Sequence, residues 1–280
     1  MPGLVDVHVH FMPANVLAKV WAYFDAVGPL TGRPWPIAYR TDEDDRLARL
    51  RELGVLAFPS LLYPHRPGMA AWLNGWAREF AARHADVVPT ATFFAEPEAT
   101  AYVGQALAAG AMVFKAHVQV GGYDPRDRQL DGVWGALAEA GTPVVVHCGS
   151  GPMPGRFTGP GPFGEVLRRH PTLVAVIAHM GLPEYAEFLD LAGRHPHVHL
   201  DTTMAFTDFT ERTAPFPSEL GPRLADLADR VVLGSDFPNT PYPYAEQLQA
   251  LDRLAERHGL GEEWLRAVVH DNGARLLRLP

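Results

Sequence analysis

Eight short apolar runs, each followed by an amphipathic stretch, constrain this chain more than any other feature. The runs are Leu4–His10, Val55–Tyr63, Val87–Phe94, Met112–Val120, Pro143–His147, Leu173–His179, Val198–Met204 and Val231–Asp236. They are rich in valine and nearly continuously apolar, as parallel strands covered by helices are. The stretches between them include Asp42–Leu53, Gly68–His84, Pro97–Ala109, Asp131–Ala140, Phe163–Arg169, Pro183–Ala192 and Ser218–Leu227. Apolar spacing in Leu47, Leu50 and Leu53, and in Trp72, Trp76 and Phe80, predicts core-facing helix stripes. Eight strands alternating with helices over 280 residues predict an α/β fold, a (β/α)8 TIM barrel. It is expected to form one domain over residues 1–280. Three helical segments follow the last strand, Tyr244–His258, Glu262–Val269 and Asn272–Leu277; one closes the barrel and the others are C-terminal additions. An open doubly wound sheet would need a Gly-x-Gly-x-x-Gly turn opening a helix, and there is none. Gly28–Tyr39 and Gly149–Pro162 read as long loops, the second with five glycines and four prolines directly after the fifth strand.

In a barrel, chemistry is carried by residues at the C-terminal ends of different strands. Here those ends carry His8 and His10, Lys115 and His117, His147, His179 and Asp236. His8 and His10 are two apart in a strand, so they share a face; Val7 and Val9 then face the helix layer. A His-x-His pair alone is weak evidence of metal binding. Imidazoles crowded inside a barrel stay neutral, however, which is the state that ligates Zn²⁺. His147 and His179 each end an otherwise apolar strand, where a lone buried imidazole without a partner is costly. Asp236 can coordinate a metal, orient an attacking water, or both.

A formal charge of −8 and the absence of any Lys/Arg cluster argue against a nucleic-acid partner. The single cysteine, Cys148, permits no intrachain disulfide. It is expected to point into the helix layer as a small buried apolar group. No run approaches the ~20 apolar residues of a membrane span. The N-terminus has no signal-peptide pattern. A cytoplasmic protein with a small-molecule substrate, no nucleic-acid or membrane partner, and scope for a homodimer is the expectation.

The motifs Asp6-x-His8-x-His10, Phe114-Lys115-x-His117, Val146-His147-Cys148-Gly149, Ala178-His179-Met180-Gly181 and Gly234-Ser235-Asp236-Phe237-Pro238 resemble the amidohydrolase superfamily. They are similar to the branch of amidohydrolase-related hydrolases and aminocarboxymuconate-semialdehyde decarboxylase-like enzymes. The ending Asp271-Asn272-Gly273-Ala274-Arg275-Leu276-Leu277 resembles that branch too. The match spans nearly the whole chain, in order. The resemblance implies one divalent metal, usually Zn²⁺, held by His8, His10 and His147. Asp236 would complete the set or hold the reacting water. His179 would be a general acid or base, or a ligand of a second metal. Lys115 matches the strand-four lysine, which is carboxylated and bridging in two-metal members. In this mostly one-metal branch it reads as a cation beside substrate.

These parts suit hydrolysis of an amide, ester or lactone, with metal-activated water and Asp236 shuttling its proton. A rival keeps the site and loses a carboxylate instead, as a decarboxylase of an aromatic or muconic acid, with Lys115, Arg126 and Arg156 as candidate carboxylate holders. A metal-free binding module is the rival from another class, and it leaves five polar strand ends to chance. Substrate contacts are expected from His65, His117, Tyr123, Arg126, Arg156, Phe157 and Asn239, with Arg66, Phe206 and Tyr242 near them.

Overall fold

The structure, a computed structural model, describes residues 3–31 and 34–279. The strands are β1 (Leu4–Val5), β2 (Val55–Pro59), β3 in two pieces (Val87–Val88 and Thr90–Thr92), β4 (Val113–His117), β5 (Val144–His147), β6 (Ala175–Ile177), β7 (Val198–Asp201) and β8 (Val231–Val232). Pro89, which has no N–H to give to a ladder, separates the two pieces of β3. All neighbours pair in parallel and in sequence order.

The seam between first and last strands is made by backbone bonds just beyond β1 and β8. Val7 N donates to Leu233 O at 2.8 Å, Asp236 N to His8 O at 2.8 Å, and His10 N to Phe237 O at 2.7 Å. On the other side Leu61 N donates to Val9 O at 2.8 Å. The ring of strands is thereby continuous, as the barrel expectation requires.

Two apolar layers form on opposite sides of the strands. Val113, Val145, Val176 and Val232 pack with Val5 and Val7, and the terminal residues Leu276 and Leu277 cover this cluster. Phe114, Val144, Val146, Ala175, Ile177 and Leu200 turn the other way, to Trp134, Phe163, Phe188 and other helix residues. Asn272 ties the terminal helix Asn272–Leu276 to β8, donating to Ala228 O at 2.7 Å and Val231 O at 2.8 Å. That bond gives the Asp-Asn ending a structural purpose.

Three sequence-based expectations need correction. The segment after β1 forms a helix, Ala14–Thr31, so the loop expected over Gly28–Tyr39 is helical up to Thr31. Trp72 is not core-facing: it is 48% exposed, and helix Ala70–Arg83 turns Ala70, Leu73, Ala77 and Phe80 inward instead. Val7 joins the interior cluster rather than the helix layer, whereas Val9 packs with the outer one. The cause is local. Asp6 Oδ1 accepts from His8 N at 3.0 Å, and this turn interrupts the strict alternation that a straight strand would impose. The helix Asp131–Ala140 has the expected bounds, and Cys148 is buried among the outer apolar residues. Among the described residues no helix is long and apolar enough to cross a membrane.

Candidate metal centre and cavity

The polar strand ends converge on one end of the barrel. His8, His10, Lys115, His117, His147, His179 and Asp236 all line a cavity of about 1160 Å³. The register explains part of this: β4 and β5 pair so that His117 stands beside His147, and the two rings stack at 4.1 Å with planes 10° apart. His179 meets His147 edge-on at 4.5 Å and His8 at 4.9 Å.

His8 is held at both ring nitrogens. Its Nδ1 lies 2.9 Å from Asp201 Oδ2, and its Nε2 lies 2.9 Å from Lys115 Nζ. His10 Nδ1 lies 2.8 Å from the carbonyl of Leu61, which can only accept, so this nitrogen carries the proton. Its Nε2 faces Asp236 Oδ1 at 2.8 Å, a contact that a shared proton or a metal cation satisfies.

Among the described residues, the donor atoms of His8, His10 and Asp236 lie within 4.8 Å of one another, and all three side chains are buried. Their second nitrogens are anchored to a carboxylate and a carbonyl, the outer support that ligating histidines need. The residues present therefore fit a divalent cation, which would take His8 Nε2 in place of Lys115 Nζ. His147 is not among the converging donors; its Nε2 bonds Gly151 O at 3.0 Å. His179 is also outside that set.

Burial sets the charge states. It pushes His8, His117 and His179 well below the usual histidine range, and His147 down to about 4, with Lys115 or a neighbouring imidazole adding to the effect. Burial lowers Lys115 as well, to about 8, against the pull of Asp201 and Asp236. It raises Asp201 and Asp6 to about 7. Asp6 is further tied by Tyr244, whose hydroxyl donates to Oδ2 at 2.9 Å. The cavity is thus lined with neutral imidazoles ready to act as ligands or proton carriers.

Backbone strain gathers at the same end. His179 (φ 119°) and Met180 (φ 34°) follow β6, Met204 (φ 59°) and Phe206 (φ 67°) follow β7, and Asp236 (φ 65°) follows β8. Such conformations cost of order 1–3 kcal/mol each and persist where the surroundings over-determine them. Gly149, two residues after His147, shows how tight the surroundings are. A Cβ there would lie 2.8 Å from Leu182 O, so only glycine lets the loops after β5 and β6 touch.

Of the expected substrate contacts, His65, His117 and Asn239 line the cavity. Tyr123, Arg126, Arg156 and Phe157 do not. Tyr123 is buried against Phe94, Arg126 is paired on the surface with Asp124 at 2.7 Å, and Arg156 lies over the ring of Phe157. Phe206 and Tyr242 are likewise buried outside the cavity wall, and Arg66 is part of it. Sequence reasoning missed Asp201, Tyr63 and the helix Ala14–Thr31. Asp201 is the last residue of an apolar strand, the signal that singled out His147. Tyr63 ends an apolar run too, and its ring packs against His10 at 5.5 Å and His117 at 4.8 Å. The helix supplies Lys19, Val20, Tyr23 and Phe24 to the cavity wall. Its Trp21 donates to Asn239 Oδ1 at 3.1 Å, and Trp35 donates to Asn239 O at 2.8 Å, fastening it beside the loop of Asp236.

Removing the Asp201 carboxylate is expected to free the His8 ring. An Asp201→Ala variant should bind zinc about 10–100-fold more weakly, as loss of an outer partner typically does. Competition with a chromophoric chelator measures this; unchanged affinity would show that His8 needs no such anchor.

The family model described as Amidohydrolase matches residues 5–279. No curated protein matches the chain significantly. Among the solved structures that share its fold are the following three. An uncharacterised TIM-barrel protein from Bordetella bronchiseptica is 18% identical, with 98% of each chain covered and a TM-score of 0.75. The 5-carboxyvanillate decarboxylase of Sphingomonas paucimobilis is 15% identical, with 100% of each chain covered and a TM-score of 0.67. A probable 2-pyrone-4,6-dicarboxylic acid hydrolase from Acinetobacter baumannii is 12% identical, covering 99% of this chain and 100% of that one, with a TM-score of 0.66.

Proposed function

Because the chain belongs to the Amidohydrolase family, we propose that it is a metal-dependent hydrolase that cleaves an amide, ester or lactone of an anionic, carbonyl-bearing molecule. What supports this most is the convergence of His8, His10 and Asp236 on one point of the cavity wall. These residues would hold one divalent ion, zinc by the nitrogen and oxygen character of the set. When bound, such an ion polarises a carbonyl and lowers the pKa of water towards ~7.

The chain's own groups do the rest. Asp236 is the one carboxylate in the described cavity lining, and it takes the proton of the attacking water and returns it to the leaving group. His179, kept neutral by burial, donates to the carbonyl oxygen as charge develops there. Asp201 and the Leu61 carbonyl keep the two strand-one rings from turning. Burial raises the Tyr63 phenol far above its ordinary range, so it stays a neutral donor at the same end of the cavity. Lys115 supplies positive charge for an anionic group near the reacting bond.

Decarboxylation is the second reading, favoured by one observation: Lys19, Arg66 and Lys115 line the cavity against a single carboxylate. One experiment separates the two. Protein stripped by a chelator and reloaded with zinc is assayed against aryl esters, lactones and aromatic acids, with acid release and CO₂ followed separately. Hydrolysis should vanish on stripping and return with one equivalent of zinc. Release of CO₂ without ester or lactone cleavage would replace the hydrolase reading, and turnover that survives complete stripping would end metal dependence.

A further inference from the structure

The cavity is larger than a small planar acid requires, and its mouth differs in character from its floor. We propose that the mouth is a second recognition subsite, for an amphiphilic carboxylate. In it Lys19 and Arg66 take the anionic group while Tyr23 and Trp72 flank an aromatic or alkyl body. The proposal rests on the hydrolase reading only for which end of the ligand reacts.

Charge is the first ground. The chain carries −8 and has two lysines, Lys19 and Lys115, and both line this cavity. Several arginines elsewhere are paired with carboxylates, as in Arg51–Asp86, Arg126–Asp124 and Arg223–Asp190. Lys19 and Arg66 have no ion pair or hydrogen bond among the described residues. Two unpaired cations at the mouth of an acidic protein's cavity focus a field that attracts anions.

Apolar exposure is the second and independent ground. Four large hydrophobic side chains are exposed among the described residues, and three of them line the same cavity: Tyr23 (51%), Trp72 (48%) and Val120 (39%). Exposed apolar groups gathered at one opening, rather than scattered, mark a binding surface. The scaffold brings the two kinds of group together. Lys19 and Tyr23 are four apart in helix Ala14–Thr31 and so share a face. Arg66 and Trp72 flank the start of helix Ala70–Arg83, and the two helices pack through Leu17, Met69 and Leu73. At about 1160 Å³ the cavity exceeds the ~300–1,000 Å³ typical of drug-sized ligands, which leaves room for an apolar arm beyond the reacting group.

Isothermal titration of 6-phenylhexanoate and of its primary amide tests this. A carboxylate can also ligate a metal, so the comparison is made on zinc-loaded protein and again after chelator stripping. In both forms the carboxylate should bind at least tenfold more tightly than the amide. The double variant K19A/R66A should lose that preference while holding the amide as before. The double variant Y23A/W72A should weaken both probes by a similar factor. Equal binding of acid and amide, no binding of either, or a preference that survives in K19A/R66A would overturn the proposal. A failure of the hydrolase reading appears instead in the stripping and reloading assay, without altering these affinities.

Discussion

Replacing Asp236 with asparagine is expected to leave a folded barrel whose turnover has fallen about 10³-fold or more. The substitution keeps the shape of the side chain and removes only its charge and its ability to accept a proton. General acid–base groups contribute about 10²–10⁴-fold, and Asp236 also faces His10 Nε2 at 2.8 Å, so metal affinity should drop as well. His10→Ala removes the other side of that contact and should lose both zinc and activity. Metal content by mass spectrometry, circular dichroism and turnover on any substrate found in the panel read the three quantities separately. A His10→Ala protein with a full equivalent of zinc would sink the assignment of the site.

Gly234→Ala should be nearly as damaging, by a different route. A Cβ at Gly234 would collide with Thr203 Oγ1, lie 2.9 Å from His8 Cβ and 3.2 Å from Asp201 Cγ. All are buried, and Gly234 N also donates to Thr202 Oγ1 at 3.3 Å. Overpacking of this kind costs about 1–3 kcal/mol. In a protein of this size that lowers Tm by roughly 2–4 °C per kcal/mol. The same push on His8 Cβ should weaken zinc binding. Gly104→Ala is the matched control: nothing lies within 4 Å of its Cβ, and it sits inside helix Ala99–Ala108. There alanine should be neutral or stabilise by ~0.5–1 kcal/mol. If the Gly234→Ala protein melts and binds zinc like its parent, the packing beneath His8 is looser than described.

The barrel was legible in the sequence because parallel strands buried on both faces leave unbroken apolar runs, and the turns between them leave helix-length gaps. The converging residues were legible for a related reason: a histidine or aspartate ending such a run has nowhere to go but the mouth. Other features depend on contacts between segments far apart. Asp201 could be seen as polar, but its grip on His8 follows from ring closure. Val7 was misplaced because one Asx turn at Asp6 outweighs strand alternation. Trp72 fits a helical stripe with Trp76 and Phe80, yet helix Ala70–Arg83 is rotated so that Leu73 and Ala77 carry the packing. Arg126 and Arg156 lie on loops whose course no motif fixes, and nearby Asp124 and Phe157 claimed them first.

The seam between β1 and β8 has a consequence for how the molecule holds together. The first strand and the segment that pairs with it, Leu233–Phe237, lie far apart in the chain. His8 and His10 therefore meet Asp236 only when the circle of strands is sealed. An ion held by those three residues would join both edges of the seam, and its binding free energy would add to the stability of the sealed ring as a whole.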